Sequence, residues 1–323
     1  MARRDGLPAE LGGSFTVGAA REMGVGAGRL RGSDLERPFR GVRTYAQEAR
    51  DDAGDFDRVR GETVRLAEAY SVRMRETEFF AYETAVHLLG GPLPVAIGRE
   101  LRDLDVGVHG DAPLPRCAGV RGRRLGPHLA PVVTRRGIRM SSPASTWAML
   151  GTWSVPDLVA LGDFLCRVWR EGYGRRSAGT PPLTTPEQLR AALGAGKRRG
   201  AARLRTALEL IRCDAWSPRE SACRVHLVEA GLPEPELNVD VFDRNGFHLG
   251  CVDLVYRRWK VAIEYQGKHH RDQYAHDVER VERVERLRAA GWAVVQVTSA
   301  LHAEPARLVT RVESQLSTRG WRR

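Results

Sequence analysis

The sequence predicts a mixed α/β protein with more than one folding unit. Its C-terminal part alternates between apolar runs typical of strands and charged runs with helical spacing, in the order helix, two strands, helix, strand over residues 217–298. Its N-terminal part combines helical patterns with short strand-like runs between residues 103 and 139. A chain of 323 residues is longer than one typical domain, so we expect at least two.

The composition is typical of a globular protein, with 42% hydrophobic and 28% charged residues. No apolar run reaches the roughly 18 residues that a membrane span needs, and the first residues lack an apolar signal core. Five scattered cysteines without C-x-x-C spacing are typical of reduced thiols. We therefore expect a cytoplasmic protein without a membrane partner. A net charge of +11 favours a polyanion such as DNA as the partner.

Two acids stand in the C-terminal strands at positions where apolar residues are usual. Asp253 lies in the predicted strand 250–256 and Glu264 in the predicted strand 260–266. A carboxylate inside an apolar strand loses hydration and needs a partner. A hairpin of these two strands would bring both carboxylates to one hard cation, and oxygen-only ligation suits Mg²⁺, with Mn²⁺ as the alternative.

The surrounding motifs are Ser217-x-x-Glu220, Ala230-Gly231-Leu232-Pro233, Val252-Asp253-Leu254, Ile263-Glu264-Tyr265-x-Gly267-x-x-His270 and Gly291-Trp292. Together they resemble a very-short-patch-repair-endonuclease-like domain of the PD-(D/E)XK nuclease superfamily. The resemblance covers roughly residues 213–300. It implies that residues 213–323 form a restriction-endonuclease-like mixed sheet flanked by helices.

The resemblance also implies roles for single residues. Asp253 and Glu264 match the acids that bind the metal, and the main-chain carbonyl of Tyr265 would be a third ligand. Glu220 matches a helical acid that often completes the site. Gln266, however, occupies the place of the motif lysine, so the group that activates the attacking water is open.

Several residues are candidates for that role. Lys260 shares a strand face with Glu264, and Lys268 follows the strand. His269 or His270 would serve as a general base or orient the water, because imidazole titrates near neutrality. Lys268 and His269 are also candidates for contacts with DNA. In the alternative interpretation, His269 and His270 are loop residues near the site without a role in catalysis.

Structural roles compete with these assignments. Ser217-x-x-Glu220 is also a capping box, in which Ser217 caps a helix and Glu220 reaches back to its first backbone donors. Asp253 and Glu264 would alternatively be ordinary salt-bridged strand residues, and Gln266 a polar residue at a strand end. Asp163, in an apolar helix predicted over 156–169, is expected to cap or pair locally.

The N-terminal region gives weaker patterns. Residues 1–45 predict a winged helix-turn-helix, with a helix capped by Ser14 and ending near Gly24, or else a helical cap on the next domain. Residues 46–212 predict an α+β region, in which 61–90 form one long helical pattern broken once. The N-terminal segment, the motifs Ser142-Pro143-Ala144-x-Thr146-Trp147 and Leu158-Val159-Ala160-Leu161-Gly162-Asp163, and the segment 181–185 are similar to AbiEi-type antitoxins. This resemblance implies DNA binding.

Basic residues gather at two places. Residues 116–139 contain seven arginines and no acid. A basic linker over 197–205 contributes Lys197, Arg198, Arg199 and Arg203 as candidate contacts to the DNA backbone. A solvated surface explains either group equally well.

Two functions follow from these patterns. The first is an Mg²⁺-dependent DNA endonuclease acting in DNA repair, phage defence or a toxin–antitoxin setting. The alternative is a DNA-binding regulator of the antitoxin type whose nuclease fold is inactive. The sequence fixes no oligomeric state, so a homodimer stays open.

Overall fold

The computed structural model describes residues 6–46, 54–173, 175, 177–266 and 273–323, with side chains in 273–280 left out. The chain divides into two compact units, Met1–Thr152 with Gln188–Ala201 and Trp153–Glu187 with Ala202–Arg323. The domain boundary that we expected at residue 213 lies inside the second unit. The mixed α/β class is confirmed. No helix in the described ranges is long and apolar enough to cross a membrane.

The first unit begins with a small antiparallel sheet. Its elements are β1 (Ser14–Thr16), α1 (Val17–Glu22), β2 (Leu35–Glu36) and β3 (Val42–Tyr45), and the strand order is β1-β3-β2.

The predicted first helix is shorter than expected, because Ser14 belongs to β1 and the hydroxyl of Thr16 caps α1 by accepting from Ala19 N at 3.1 Å. A single 3-10 turn, Arg29–Arg31, stands where a winged helix-turn-helix needs its second helix. Arg29 is also held internally by Asp34 at 2.7 Å. The winged helix-turn-helix stays a prediction, without a regular second helix at this place.

A five-stranded sheet follows in the same unit, with strand order β6-β5-β4-β8-β7. Its strands and the helices around it are α2 (Asp55–Ser71), β4 (Glu78–Phe80), α3 (Tyr82–Leu89), α4 (Val95–Gly98), β5 (Leu104–Val108), β6 (Val120–Arg124), β7 (Val132–Arg135), β8 (Ile138–Ser141) and α5 (Pro143–Ala148).

The helical pattern predicted for 61–90 is wrong at its centre, where β4 runs between α2 and α3. Phe79 and Phe80 are buried, and the buried carboxylate of Glu78 accepts from Arg75 Nε at 2.6 Å. Full burial on both sides of a short strand removes the alternation that would have marked it as a strand.

The second unit is built on a four-stranded sheet with strand order β12-β11-β10-β9. This unit also contains α6 (Val155–Cys166) and all but the first residue of α8 (Ala201–Leu210), whereas α7 (Pro186–Gly194) lies mostly in the first unit. The sheet and its own helices are α9 (Pro218–Glu229), β9 (Glu236–Phe242), β10 (His248–Tyr256), β11 (Val261–Tyr265), α10 (Gln273–Ala289), β12 (Ala293–Val297), α11 (Ser299–His302) and α12 (Pro305–Thr318).

Helices cover both faces of this sheet. On one face, Ile263 and Val295 pack in a cluster with Leu227 of α9 and Val312 of α12. On the other face, Val255, Ala262 and Trp292 pack with Leu287 of α10. Strands β9, β10 and β11 are antiparallel, and β12 runs parallel to β11.

A buried ion pair joins α6 to α9. Asp163 and Arg224 have fully covered side chains, and Asp163 Oδ2 lies 3.5 Å from Arg224 Nη2. Arg224 also contacts Glu234 at 2.9 Å, while Asp163 Oδ1 accepts from the backbone N–H of Arg212 at 2.7 Å. The local pairing expected for Asp163 is therefore wrong, because its partners come from distant parts of the chain.

Candidate metal centre

Strands β10 and β11 bring the two acids of the sequence motif together. Their register pairs Tyr256 with Val261 and Leu254 with Ile263. One further step of the same register places Asp253 opposite Glu264. Here the backbone N–H of Tyr265 donates to a side chain of β10 instead of to a backbone carbonyl. Its acceptor is Asp253 Oδ2, at 2.7 Å.

The environment of Asp253 disfavours its negative charge. Burial raises the pKa of Asp253 well above its ordinary value, and the charges of Glu264 and Glu220 raise it further, while Arg283 opposes them. The Glu264 side chain is 2% exposed. Two like charges on adjacent strands away from water favour either a nearby cation or the uptake of a proton by one carboxylate.

Arg283 of α10 supplies positive charge at this place and was missed by the sequence reasoning. Its Nη2 donates to Glu264 Oε2 in a short contact, and its Nη1 donates to the carbonyl of Cys251 at 3.4 Å. Arg283 lies one helical turn before Leu287, which packs on the sheet. The sequence signal for Arg283 was its position one helical turn from a leucine expected to be buried. Charged helices contain many arginines in such positions, so this signal did not single out Arg283.

Glu220 serves the start of α9. Ser217 Oγ accepts from Glu220 N at 3.2 Å, and Glu220 Oε2 accepts from the backbone N–H of Trp216 at 3.0 Å. The same oxygen accepts from Asn238 Nδ2 at 2.8 Å. The Ser217 cap is thus present, while Glu220 reaches back to the N–H of Trp216, the residue before the cap, rather than to that of Ser217. Glu220 is also close enough to Asp253 to raise its pKa.

The other predicted catalytic residues are placed differently. Lys260 lies at the far end of β11, where its Nζ donates to the carbonyl of Ala290 at 3.4 Å. Gln266 follows β11, is half-buried, and donates its backbone N–H to the Val297 carbonyl at 2.9 Å. Lys268, His269 and His270 lie outside the described residues.

The donor set is small. Within the described ranges, no group of three or more His, Cys, Asp or Glu side chains is arranged to hold a metal ion. Asp253 and Glu264 offer two carboxylates. The N–H and C=O of one strand residue point to the same edge of the strand, so the Tyr265 carbonyl faces the side of Asp253. One or two carboxylates, with waters and substrate phosphates, are the usual protein ligation of Mg²⁺.

The basic linker contains both structural and exposed side chains. Arg198 is half-buried and donates to the main-chain carbonyls of Ala192 and Leu129 at 2.8 and 2.9 Å. Burial lowers its pKa from the ordinary value. Lys197, Arg199 and Arg203 are exposed. Arg198 is therefore less available to phosphate than its neighbours.

The arginines of residues 116–139 are partly neutralised within the first unit. Arg121 and Arg123 both donate to Oδ1 of the buried Asp105 at 3.0 Å. The guanidinium of Arg123 also lies over the ring of Tyr82, 4.6 Å from its centre. Two guanidinium groups on one carboxylate leave a net positive charge at this edge of the sheet.

A groove of about 510 Å³ runs along β9. Its walls are mainly ion pairs, Arg170 with Asp214 at 2.8 Å and Arg212 with Glu234 at 2.8 Å. Neither Asp253 nor Glu264 lines it. Because its arginines are paired, the groove is a poor site for phosphate.

Comparison with known proteins gives distant relatives. No family model matches the chain, and no solved structure matches it significantly. The uncharacterized protein MT2308 of Mycobacterium tuberculosis strain CDC 1551 / Oshkosh and the uncharacterized protein Rv2248 of strain ATCC 25618 / H37Rv are each 29% identical over 120 residues. The match covers 37% of this chain and 44% of each relative, so the chain spans less than half the length of these curated relatives. Neither name states an activity.

Proposed function

We propose that the protein is a divalent-metal-dependent DNA endonuclease of the PD-(D/E)XK type, with its active site where β10 carries Asp253 beside Glu264 of β11. The observation that carries the proposal is the placement of Asp253 and Glu264 at one step of a strand ladder, where burial and the charge of Glu264 disfavour the negative charge of Asp253, and where the Glu264 side chain is itself 2% exposed. Such a pair costs stability, and binding a cation is the simplest function that accounts for it.

The donor set fits a hard cation. Asp253, Glu264 and the carbonyl of Tyr265 would hold Mg²⁺ or Mn²⁺, and Glu220 would support the site from the start of α9. When bound, the ion polarises the scissile phosphate and lowers the pKa of a bound water. The hydrogen bond from Tyr265 N to Asp253 Oδ2 fixes the orientation of the Asp253 carboxylate beside the Tyr265 backbone.

Activation of the water falls to a residue beyond β11. Gln266 orients a water through its amide but cannot accept a proton. Lys260 is held at the opposite end of the strand. His269 or His270 remains the proposed general base, and Lys268 the proposed ammonium near the scissile phosphate.

DNA is the proposed substrate because of charge as well as resemblance. The chain has a net charge of +11, while residues 217–323 contain 17 Lys and Arg against 15 Asp and Glu. The excess therefore lies before the nuclease-like domain, where Lys197 and Arg199 are exposed. A basic region beside a nearly neutral catalytic domain suits a polyanionic substrate.

The test is cleavage of plasmid DNA and of a mismatched duplex with Mg²⁺, Mn²⁺ or EDTA. We expect cutting that depends on the metal and disappears in Asp253→Ala and Glu264→Ala. Glu229→Ala, at an exposed position of α9, is the control and should cut normally. Cleavage by Asp253→Ala at the rate of the unchanged protein would contradict the site assignment.

The second candidate is a DNA-binding regulator with an inactive nuclease fold. It is favoured by Gln266 in the lysine position and by Arg283, which already neutralises Glu264. For such a regulator we expect no cleavage with any metal, salt-sensitive DNA binding, and no effect of Asp253→Ala on that binding. Charge reversal at Lys197 would then weaken binding and reduce its salt dependence.

A further inference from the structure

Arg283 reaches the acid pair by passing over Gly250 of β10, where the strand carries no side chain. The register of β9 and β10 shifts between His248 and Gly250. Gly250 has a φ of +145°, and a Cβ at this position would lie 2.4 Å from Arg283 Cδ. Both features favour glycine here. The stem of Arg283 therefore lies against the backbone of Gly250, and a side chain at this position would force the arginine to shift.

The guanidinium sits on the carboxylate that the proposed function assigns to a metal. Glu264 is 2% exposed and Arg283 is 29% exposed, so the guanidinium forms part of the cover between the carboxylate and solvent. It also lowers the pKa of Asp253, which places its charge near both acids. Arg283 and a divalent cation would therefore interact with the same carboxylates.

We propose that Arg283 is a tethered counter-ion of Asp253 and Glu264, which holds the acid pair in place and competes with the divalent cation for it. This inference rests on the proposed function and deepens it, since it makes Arg283 the residue that sets metal affinity. A guanidinium beside two carboxylates offsets the repulsion between the carboxylates. A cation that enters the site must overcome the attraction between the guanidinium and the carboxylates, and must displace the guanidinium or be repelled by it.

If Arg283 only oriented Glu264 for metal binding, its loss would have the opposite effect on metal affinity. A partner that only orients a metal-binding carboxylate raises metal affinity, and its loss typically costs about 10- to 100-fold. A competing counter-ion lowers metal affinity, and its loss should raise it. Metal binding therefore distinguishes the two roles without any measurement of cleavage.

The experiment is calorimetric titration of Mn²⁺ into the full chain at pH 7.5. We expect Arg283→Met to bind Mn²⁺ about tenfold more tightly than the unchanged protein, because a repelling charge is gone. Arg283→Lys keeps the charge and should stay close to the unchanged protein. Arg288→Met removes an exposed arginine of the same helix, which pairs with Glu285 at 2.7 Å, and should have no effect.

Weaker or unchanged Mn²⁺ binding by Arg283→Met would overturn the inference. If that variant does not fold, the unchanged protein provides the test through modification of Arg283 by phenylglyoxal, read by mass spectrometry. Mn²⁺ should speed the modification, and unchanged or slower modification would overturn the inference.

A failure of the proposed function gives a different result. If the unchanged protein binds no Mn²⁺, or if Asp253→Asn binds it equally well, the metal site itself is wrong, and the inference falls with it. Binding that requires Asp253 but ignores Arg283 leaves the proposed function standing and rejects the counter-ion alone.

Discussion

Replacing Arg224 with methionine should cost the second unit a large part of its stability. The change leaves the fully covered carboxylate of Asp163 without its charged partner. It also removes the contact of Arg224 with Glu234 at 2.9 Å. Breaking one side of a buried ion pair costs about 3–5 kcal/mol, against a typical domain stability of about 5–15 kcal/mol.

The pKa of Asp163 gives this prediction a pH dependence. Burial raises that pKa to about 6 from the ordinary 3.8, although Arg224 lowers it. The difference corresponds to about 3 kcal/mol that favours the protonated form in the folded state. The folded carboxyl takes up its proton around pH 6, whereas the unfolded chain does so only near pH 4. The contribution of Asp163 to the free energy of unfolding therefore rises as the pH falls from 7 to 4.

Loss of Arg224 moves this proton uptake to higher pH, because Arg224 is one of the groups that lower the pKa. The cost of Arg224→Met should then be smaller at pH 5 than at pH 7.5, where the carboxyl must ionise without a partner. Asp163→Asn in the same chain should restore part of the stability, since asparagine carries no charge and still accepts from Arg212 N.

Urea unfolding at pH 7.5 and pH 5 measures these effects. Arg170→Met is the control, because Arg170 pairs with Asp214 at the surface and is 51% exposed; it should cost no more than about 1 kcal/mol. A cost for Arg224→Met as small as that of the control, or one that grows at pH 5, would refute the reasoning.

Three further predictions concern single side chains. Lys260→Ala should leave metal-dependent cleavage unchanged, because Lys260 lies at the far end of β11; a loss of cutting would show that it reaches the acids. Arg198→Ala should lower the free energy of unfolding by about 1–3 kcal/mol, because it removes the partly buried hydrogen bonds of Arg198. It should leave the salt dependence of DNA binding unchanged. Lys197→Ala, in contrast, should reduce the salt slope of DNA binding by about one. Thr16→Ala should cost about 1 kcal/mol in urea unfolding through loss of the α1 cap, and an unchanged midpoint would contradict the capping role.

The strands that carry the acids were predictable because their patterns are local. The apolar and β-branched runs around Asp253 and Glu264 predict β10 and β11, and the structure has both. Ser217 and Gly291 mark the ends of α9 and α10 by residue types that caps require. The register of one hairpin then places the two acids opposite each other.

The features that local patterns failed to predict depend on contacts between residues far apart in the sequence. The partner of Asp163 lies 61 positions away, and Arg283 meets Glu264 only because α10 folds across β10. The edge strand β9 was also missed, since its burial is uneven and Asn238 within it has a φ of +49°. Such features follow from tertiary packing, which local patterns do not record.

The most direct test of the account is anomalous diffraction from crystals of the full chain soaked in Mn²⁺. We expect one anomalous peak between the carboxylates of Asp253 and Glu264, within ligand distance of the Tyr265 carbonyl, with the Arg283 guanidinium moved away from Glu264. Ordered Asp253 and Glu264 without a peak, and with Arg283 still on Glu264, would contradict the proposed metal centre.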